Sequence, residues 1–243
     1  MVGPAPSRDA SPPVRVDFGM ERRPASRYYG TWRSAGHSMA DNADIPDRER
    51  EAKMALRKQA LARRDAMEPH RRIEAALAMA EAAAAIEVAP GAVVSGFWPI
   101  RSEVDSRPLM FSLREKGARL ALPVVIDKAT IVFRELVRGA ALIDAGFGTA
   151  GPGEEAAVLD PDIMLVPLAA FDRRGHRIGY GAGHYDRAIA RLHEKGRRPR
   201  LIGIAFDCQE VPLVPNQWHD IMLSDMLTES GLRSFAPSSY MAG

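Results

Sequence analysis

The stretch DIMLVPLAAFDRRGHRIGYGAGHYDR, Asp162 to Arg187, decides the fold. It opens on an apolar run, the pattern of a strand buried on both faces in a parallel sheet. Glycines follow at 175, 179, 181 and 183, and His184 to Lys195 reads as a helix closed by Gly196. Gly179, Gly181 and Gly183 therefore fall where a strand hands over to a helix. Glycine lets the backbone approach a ligand closely there, and the free N–H groups of a helix start favour an anion, typically phosphate. The spacing G-x-G-x-G is neither the G-x-G-x-x-G of dinucleotide folds nor a Walker A loop, so alone it also suits a plain tight connection. Arg177 before the glycines can pair with phosphate oxygens. Asp186 after them is either a Mg²⁺ ligand beside phosphates or an acid that complements the helix dipole.

Outward from this stretch the chain alternates between helix and strand patterns. Asp47 to Met67 contains good helix formers and no Gly or Pro, and a second helix is expected from Pro69 to Val88. Ala92–Trp98 is β-prone. Glu103–Lys116 looks helical, with Leu109, Met110 and Leu113 on one side and Pro108 blurring its start. Arg119–Val125, Thr130–Leu136, Leu201–Phe206 and Ile221–Leu227 read as strands, and Gly139–Gly153 as a glycine-rich loop. Strands alternating with helices imply an α/β fold, a mainly parallel sheet with helices on both faces.

Composition narrows the function classes. The 243 residues are 46% hydrophobic and 26% charged, with a formal net charge of +2, ordinary values for a globular chain. Residues 1–39 hold six arginines and three acids; subtracting these from the 33 basic and 31 acidic residues leaves 27 and 28. A body this close to neutral argues against nucleic-acid binding through the folded surface. One cysteine, Cys208, precludes an intramolecular disulfide and fits a reducing compartment. No apolar run reaches the roughly 18 residues of a membrane span. Pro4, Pro6, Pro12, Pro13 and Pro24 make residues 1–46 read as a disordered extension ahead of one domain, 47–243.

Two further constellations carry chemistry. Lys53 and Arg57, in KMALR, lie four residues apart and so project from one face of a helix. Such a pair can grip a triphosphate, although basic residues on a polar helix are usually only solvated. In FWPIRSE, Phe97 to Glu103, an aromatic pair at a strand end offers a stacking surface for a flat heterocycle, and Glu103 a partner for ring nitrogens. Trp98 as core and Glu103 as a helix-start acid account for them equally well.

Taken together and in order, KMALR, FWPIRSEVD, LALPVV, FGTAGPGEEA, LDPDIMLVPLAAFDRRGHRIGYGAGHYDR, LIGIAF and HDIML resemble the 5-formyltetrahydrofolate cyclo-ligase family over nearly all of residues 50–225, most specifically from Val166 to Arg187. The resemblance implies a three-layer fold of the sugar-isomerase/CoA-transferase-like type. It also implies closure of 5-formyltetrahydrofolate to 5,10-methenyltetrahydrofolate with ATP and Mg²⁺, through a phosphorylated formyl group. By resemblance, Lys53, Arg57 and Arg177 are catalytic. ATP is contacted by them and by Gly179, Tyr180, Gly181, Ala182, Gly183, His184 and Tyr185. Trp98 and Glu103 touch folate together with Tyr180 through His184, and Asp186 and Asp220 hold Mg²⁺. Ala182 and His184 depart from the family pattern, where Gly or a basic residue, and Tyr, are expected.

The expected partners are two small molecules, ATP and the folate, with no nucleic acid or membrane, in a cytoplasmic monomer or homodimer. A phosphosugar isomerase or CoA-transferase-like enzyme, or a non-catalytic folate- or nucleotide-binding homologue, are the alternatives, since one architecture hosts many activities. Deleting residues 1–38 should leave turnover and melting temperature nearly unchanged; a large fall in melting temperature by calorimetry would show that the segment packs on the domain.

Overall fold

The computed structural model describes residues 47–146, 148–217 and 220–235; the extension read over residues 1–46 lies outside them. Two helices come first, α1 (Asp47–Asp65) and α2 (Pro69–Glu81), followed by a 3₁₀ turn, Ala82–Ala85. The second helix thus ends earlier than its helix-forming composition predicts. The Lys116 ammonium donates to the carbonyls of Ala83 (3.0 Å), Ala84 (3.2 Å) and Ile86 (2.5 Å) and so satisfies the acceptors of the 3₁₀ turn that follows.

The sheet is built from β1 (Val93–Ser95), β2 (Arg119–Val125), β3 (Ile131–Glu135), β6 (Val158–Leu159), β7 (Ile163–Pro167), β10 (Arg200–Ile204), β11 (Asp225–Thr228) and β12 (Gly231–Ser234). Its order is β12-β11-β10-β7-β1-β2-β3-β6. The five inner strands, β11 to β2, pair parallel; β12 at one edge and β3 and β6 at the other pair antiparallel. β7 lies between β1 and β10, which explains its unbroken apolar run. Ile163 and Leu165 pack on the side of α2 and α3 (Arg107–Glu115), whereas Met164 and Val166 pack on the side of α4 (His184–Glu194). The mixed α/β fold with a mainly parallel central sheet and helices on both faces is as the sequence implies. None of the helices described is long and apolar enough to cross a membrane.

Three local differences from the sequence reading matter. The helix expected from Glu103 starts at Arg107, where Pro108 occupies a first-turn position that needs no N–H, and Glu103 falls in the turn before it. The glycine-rich 139–153 segment holds a hairpin, β4 (Leu142–Gly146) and β5 (Thr149–Pro152), with Gly146 and Gly148 at positive φ. The strand expected over Ile221–Leu227 is β11, starting at Asp225, and β12 follows it as a strand that the sequence reading does not contain.

A small hairpin, β8 (Ala170–Phe171) with β9 (Arg177–Ile178), carries the chain from β7 toward the glycines. Its turn is held by Asp172, fully buried, whose carboxylate accepts from the backbone N–H groups of Arg174 (2.9 Å), His176 (3.2 Å) and Val214 (3.0 Å) and from the Arg174 guanidinium. Burial works against the charge, but these donors win and hold the carboxyl below its ordinary value. The stability it contributes is complete above the usual carboxylate range and is lost as pH falls through the lower folded value. Asp172→Asn should therefore cost roughly 1–3 kcal/mol for each donor left unpaired. It should also flatten the fall of melting temperature with acid below about pH 4, which thermal scans across pH would read.

Candidate active site

Lys53 and Arg57 reach from α1 toward the glycine segment at the β9–α4 junction. Lys53 Nζ lies 3.0 Å from Asp220 Oδ2 and 3.6 Å from Glu49 Oε1. Asp220 Oδ2 also accepts the backbone N–H of Gln217 at 2.8 Å. Arg57 Nε donates to the carbonyl of Gly179 at 2.8 Å. A Cβ built at Gly181, where φ is 101°, would stand 3.6 Å from the Arg57 guanidinium. Gly183, at φ 66°, is the residue before α4, and no side chain caps the helix start. The conformations of both positions favour glycine. An uncapped helix start presents N–H groups suited to an anion.

Arg177 Nη2 meets Asp186 Oδ1 at 2.5 Å and Nη1 donates to the carbonyl of Ile221 at 2.5 Å. The guanidinium is 6% exposed whereas the Asp186 side chain is 56% exposed, so the carboxylate faces outward from the pair. The chain segments carrying Lys53, Arg57, Arg177, Asp186 and Asp220 are thus brought together. His184 lies 3.3 Å from Arg187, whose guanidinium also donates to the carbonyls of Ala182 (2.7 Å) and Ala129 (2.7 Å). Burial, with Arg187 beside it, pushes the His184 imidazole below its ordinary value, so it is neutral at pH 7.

Tyr180, between the glycines, links this charged half to a second one. Its hydroxyl accepts from Arg64 Nη1 at 2.5 Å and is hydrogen-bonded to the Glu103 carboxylate, which also accepts the Ile100 N–H at 3.0 Å. Burial pushes the Glu103 carboxyl up, opposed by Tyr180, Ile100 and the charge of Arg64. Trp98 is partly buried against the core and has the Arg107 guanidinium 5.3 Å from its ring. It therefore serves packing and a surface contact together. The sequence reading misses Arg64, Ser102 and Arg187. A signal for Arg64 existed: positions 53, 57 and 64, four and seven residues apart, share one face of a helix.

The hydroxyl of Tyr185 is buried with no hydrogen-bond partner. Burial drives its phenol far above the usual value, Glu103 and Tyr180 act in the same direction, and Arg177 opposes them. That hydroxyl feels both halves of the site. An unpaired buried hydroxyl destabilises the free protein, so Tyr185→Phe should stabilise it by about 1 kcal/mol, or about 2–4 °C in melting temperature for a domain of this size. An unchanged or lower midpoint would show that the hydroxyl has a partner.

No group of three or more His, Cys, Asp or Glu residues among those described is arranged to hold a metal by itself. Asp186 and Asp220 offer hard oxygen donors next to cations and an uncapped helix start, which fits a Mg²⁺ ion whose remaining ligands are phosphate oxygens and water.

A family model described as the 5-formyltetrahydrofolate cyclo-ligase family matches residues 49–229. The chain is 33% identical over 146 residues to a 5-formyltetrahydrofolate cyclo-ligase of Mycolicibacterium smegmatis, covering 57% of this chain and 74% of that one. It is 30% identical over 143 residues to the enzyme of the same name from Escherichia coli, covering 56% and 78%. The solved structure of a 5,10-methenyltetrahydrofolate synthetase from Aquifex aeolicus superposes with a TM-score of 0.61 at 28% identity, over 76% of this chain and 94% of that one.

Proposed function

The chain belongs to the 5-formyltetrahydrofolate cyclo-ligase family, and from that premise we propose that it uses ATP to close 5-formyltetrahydrofolate to 5,10-methenyltetrahydrofolate, releasing ADP and phosphate. One observation carries the proposal. The two charge pairs, Lys53–Asp220 and Arg177–Asp186, lie beside glycines and an uncapped helix start, and Tyr180 ties that cluster to Glu103. This is a phosphate half joined to a heterocycle half.

The chemistry needs both halves. A formamide oxygen is a poor leaving group, so the γ-phosphoryl group is transferred to it: an O–P bond forms as the bond to ADP breaks. The N10 lone pair then adds to the activated carbon, N10 loses its proton, and the oxygen leaves with the phosphate. The protein has little covalent work to do here; it aligns the groups and offsets charge. Lys53, Arg57 and Arg177 hold the phosphates, with the N–H groups from Gly181 to Tyr185 around them. Asp186 and Asp220 would hold Mg²⁺, which would offset phosphate charge when bound. Glu103 takes ring N–H groups of the pterin, and Trp98 covers its face. The buried Tyr185 hydroxyl, near Glu103 and Arg177, is available to the oxygen that passes between them. A single unpaired cysteine suits a cytoplasmic setting.

The direct test mixes the protein with ATP, Mg²⁺ and 5-formyltetrahydrofolate and follows methenyltetrahydrofolate absorbance; no ATP-dependent rise would reject the proposal. The site map has its own test. Losing a charge-assisted hydrogen bond costs about 1.5–3 kcal/mol, roughly ten- to a hundredfold in affinity. Arg57→Ala should weaken a non-hydrolysable ATP by that factor and leave folate binding near its original value, and Glu103→Ala should do the reverse. Calorimetric titration of one ligand at a time reads both; weakening of the opposite ligand alone would overturn the map.

A further inference from the structure

Arg64 is one of the most deeply buried cations of the protein, at 4% exposure, and belongs to no motif recognised in the sequence. It lies on the face of α1 that carries Lys53 and Arg57, eleven residues beyond Lys53, or roughly 16 Å along the axis. Its position is therefore displaced from the charged half of the site toward the folate half. A buried guanidinium is tolerated only where anions and hydrogen-bond acceptors compensate its lost hydration. Those of Arg64 are specific. Nε donates to Ser102 Oγ at 3.0 Å and Nη1 to Tyr180 Oη at 2.5 Å, and the guanidinium lies 5.8 Å from the Tyr180 ring centroid. Asp65, its neighbour on α1, is 3.9 Å from Nε and accepts the Ser102 hydroxyl proton, but its side chain is mostly exposed. The half-buried Glu103 carboxylate also feels the Arg64 charge.

The direction of the hydrogen bonds makes a relay. Arg64 can only donate, so it takes a lone pair of the Tyr180 oxygen and leaves the phenolic proton to point elsewhere. Two acceptors are within its reach, the Glu103 carboxylate and the Leu168 carbonyl at 3.5 Å. Glu103 then has one donor from the Ile100 backbone and one from Tyr180, with the remaining lone pairs for a ligand.

We infer that Arg64 is a positioning residue of the folate half: it fixes the Tyr180 ring and hydroxyl, and through them orients the Glu103 carboxylate for the N–H donors of a pterin. The inference rests on the proposed folate role of Glu103. Other groups near Glu103 are Tyr180 between the glycines and Tyr185 of α4, while Arg72 of α2 and Asp105 line the same hollow. Burial raises the Glu103 carboxyl, and Arg64 is a charge that works against this. The ionised carboxylate is the form that accepts from a pterin, so binding is present above the Glu103 value and lost as pH falls through it. Removing Arg64 raises that value, so the acid-side loss of binding moves to higher pH.

The experiment compares wild type, Arg64→Met, Arg64→Lys and Tyr180→Phe. First, the Glu103 side-chain carboxyl is titrated by carbon-13 NMR in the ligand-free protein, a readout independent of any substrate. Arg64→Met should move its midpoint up, since it removes a neighbouring positive charge that favours the ionised carboxylate, and Arg64→Lys should move it less. Second, 5-formyltetrahydrofolate is titrated across pH. Arg64→Met should weaken it tenfold or more with the acid limb displaced upward, leave non-hydrolysable ATP within twofold, and show no additional loss when Tyr180→Phe is added. An unmoved Glu103 midpoint, or equal weakening of both ligands, would overturn the inference; Arg64→Lys supplies the same readout if Arg64→Met does not fold. If the Glu103 midpoint moves as expected while wild type shows no folate binding, the charge coupling stands and the proposed folate reading falls.

Discussion

Helix α1 is attached to the rest of the protein largely through its cations, and the site depends on that attachment. Leu56 and Ala60 reach only a small apolar cluster with Ala170, Ile178, Val211 and Val214. The remaining attachments are polar: Lys53 to Asp220, Arg57 to the Gly179 carbonyl, Arg63 to the carbonyls of Cys208 and Glu210, and Arg64 to Ser102 and Tyr180. These partners sit in the loops that follow β1, β9, β10 and the segment before β11. A helix held by such contacts organises those loops, because each polar bond has a narrower range of geometry than an apolar contact. The residues that anchor α1 and those that build the site are largely the same.

This arrangement also gives the free protein a balanced site. Lys53 and Arg177, which the proposed mechanism assigns to phosphates, are each paired with a carboxylate that it assigns to Mg²⁺. Anionic phosphates and a divalent cation would exchange partners with these pairs, so neither cations nor carboxylates stand uncompensated beforehand. Where a charge is buried, the same economy takes a different form. Asp172 is held ionised by backbone donors, Glu103 is raised by burial but tempered by Arg64, and the Tyr185 hydroxyl is left without a partner.

The legible parts of the fold were those with strong periodicity. The apolar run at 163–167 announced a strand buried on both faces, and the glycines before His184 announced the abrupt start of α4. Elements governed by weaker signals were misplaced. The β4–β5 hairpin hides in a segment of glycines and small residues, where a turn with two glycines of positive φ looks the same as a loop. The 3₁₀ turn after the second helix has its carbonyls satisfied by a lysine more than thirty residues away, which no local pattern records. Glu103 was expected at a helix start, but Pro108 is accommodated in the first turn of a helix that begins later.

By itself the sequence determined the alternation of strands and helices, the glycine turn and the family motif, because these are set by residue type at short spacing. Only the tertiary structure decided which charges meet. Lys53 and Asp220 are separated by 167 residues and Arg64 and Tyr180 by 116, so their pairing depends on how the sheet brings α1 against the loops that follow β9 and precede β11. A basic residue on a polar helix is equally compatible with solvent or with a buried acceptor. Which of the two it meets is a property of the packing, since the energy that distinguishes them arises only when distant segments exclude water from between them.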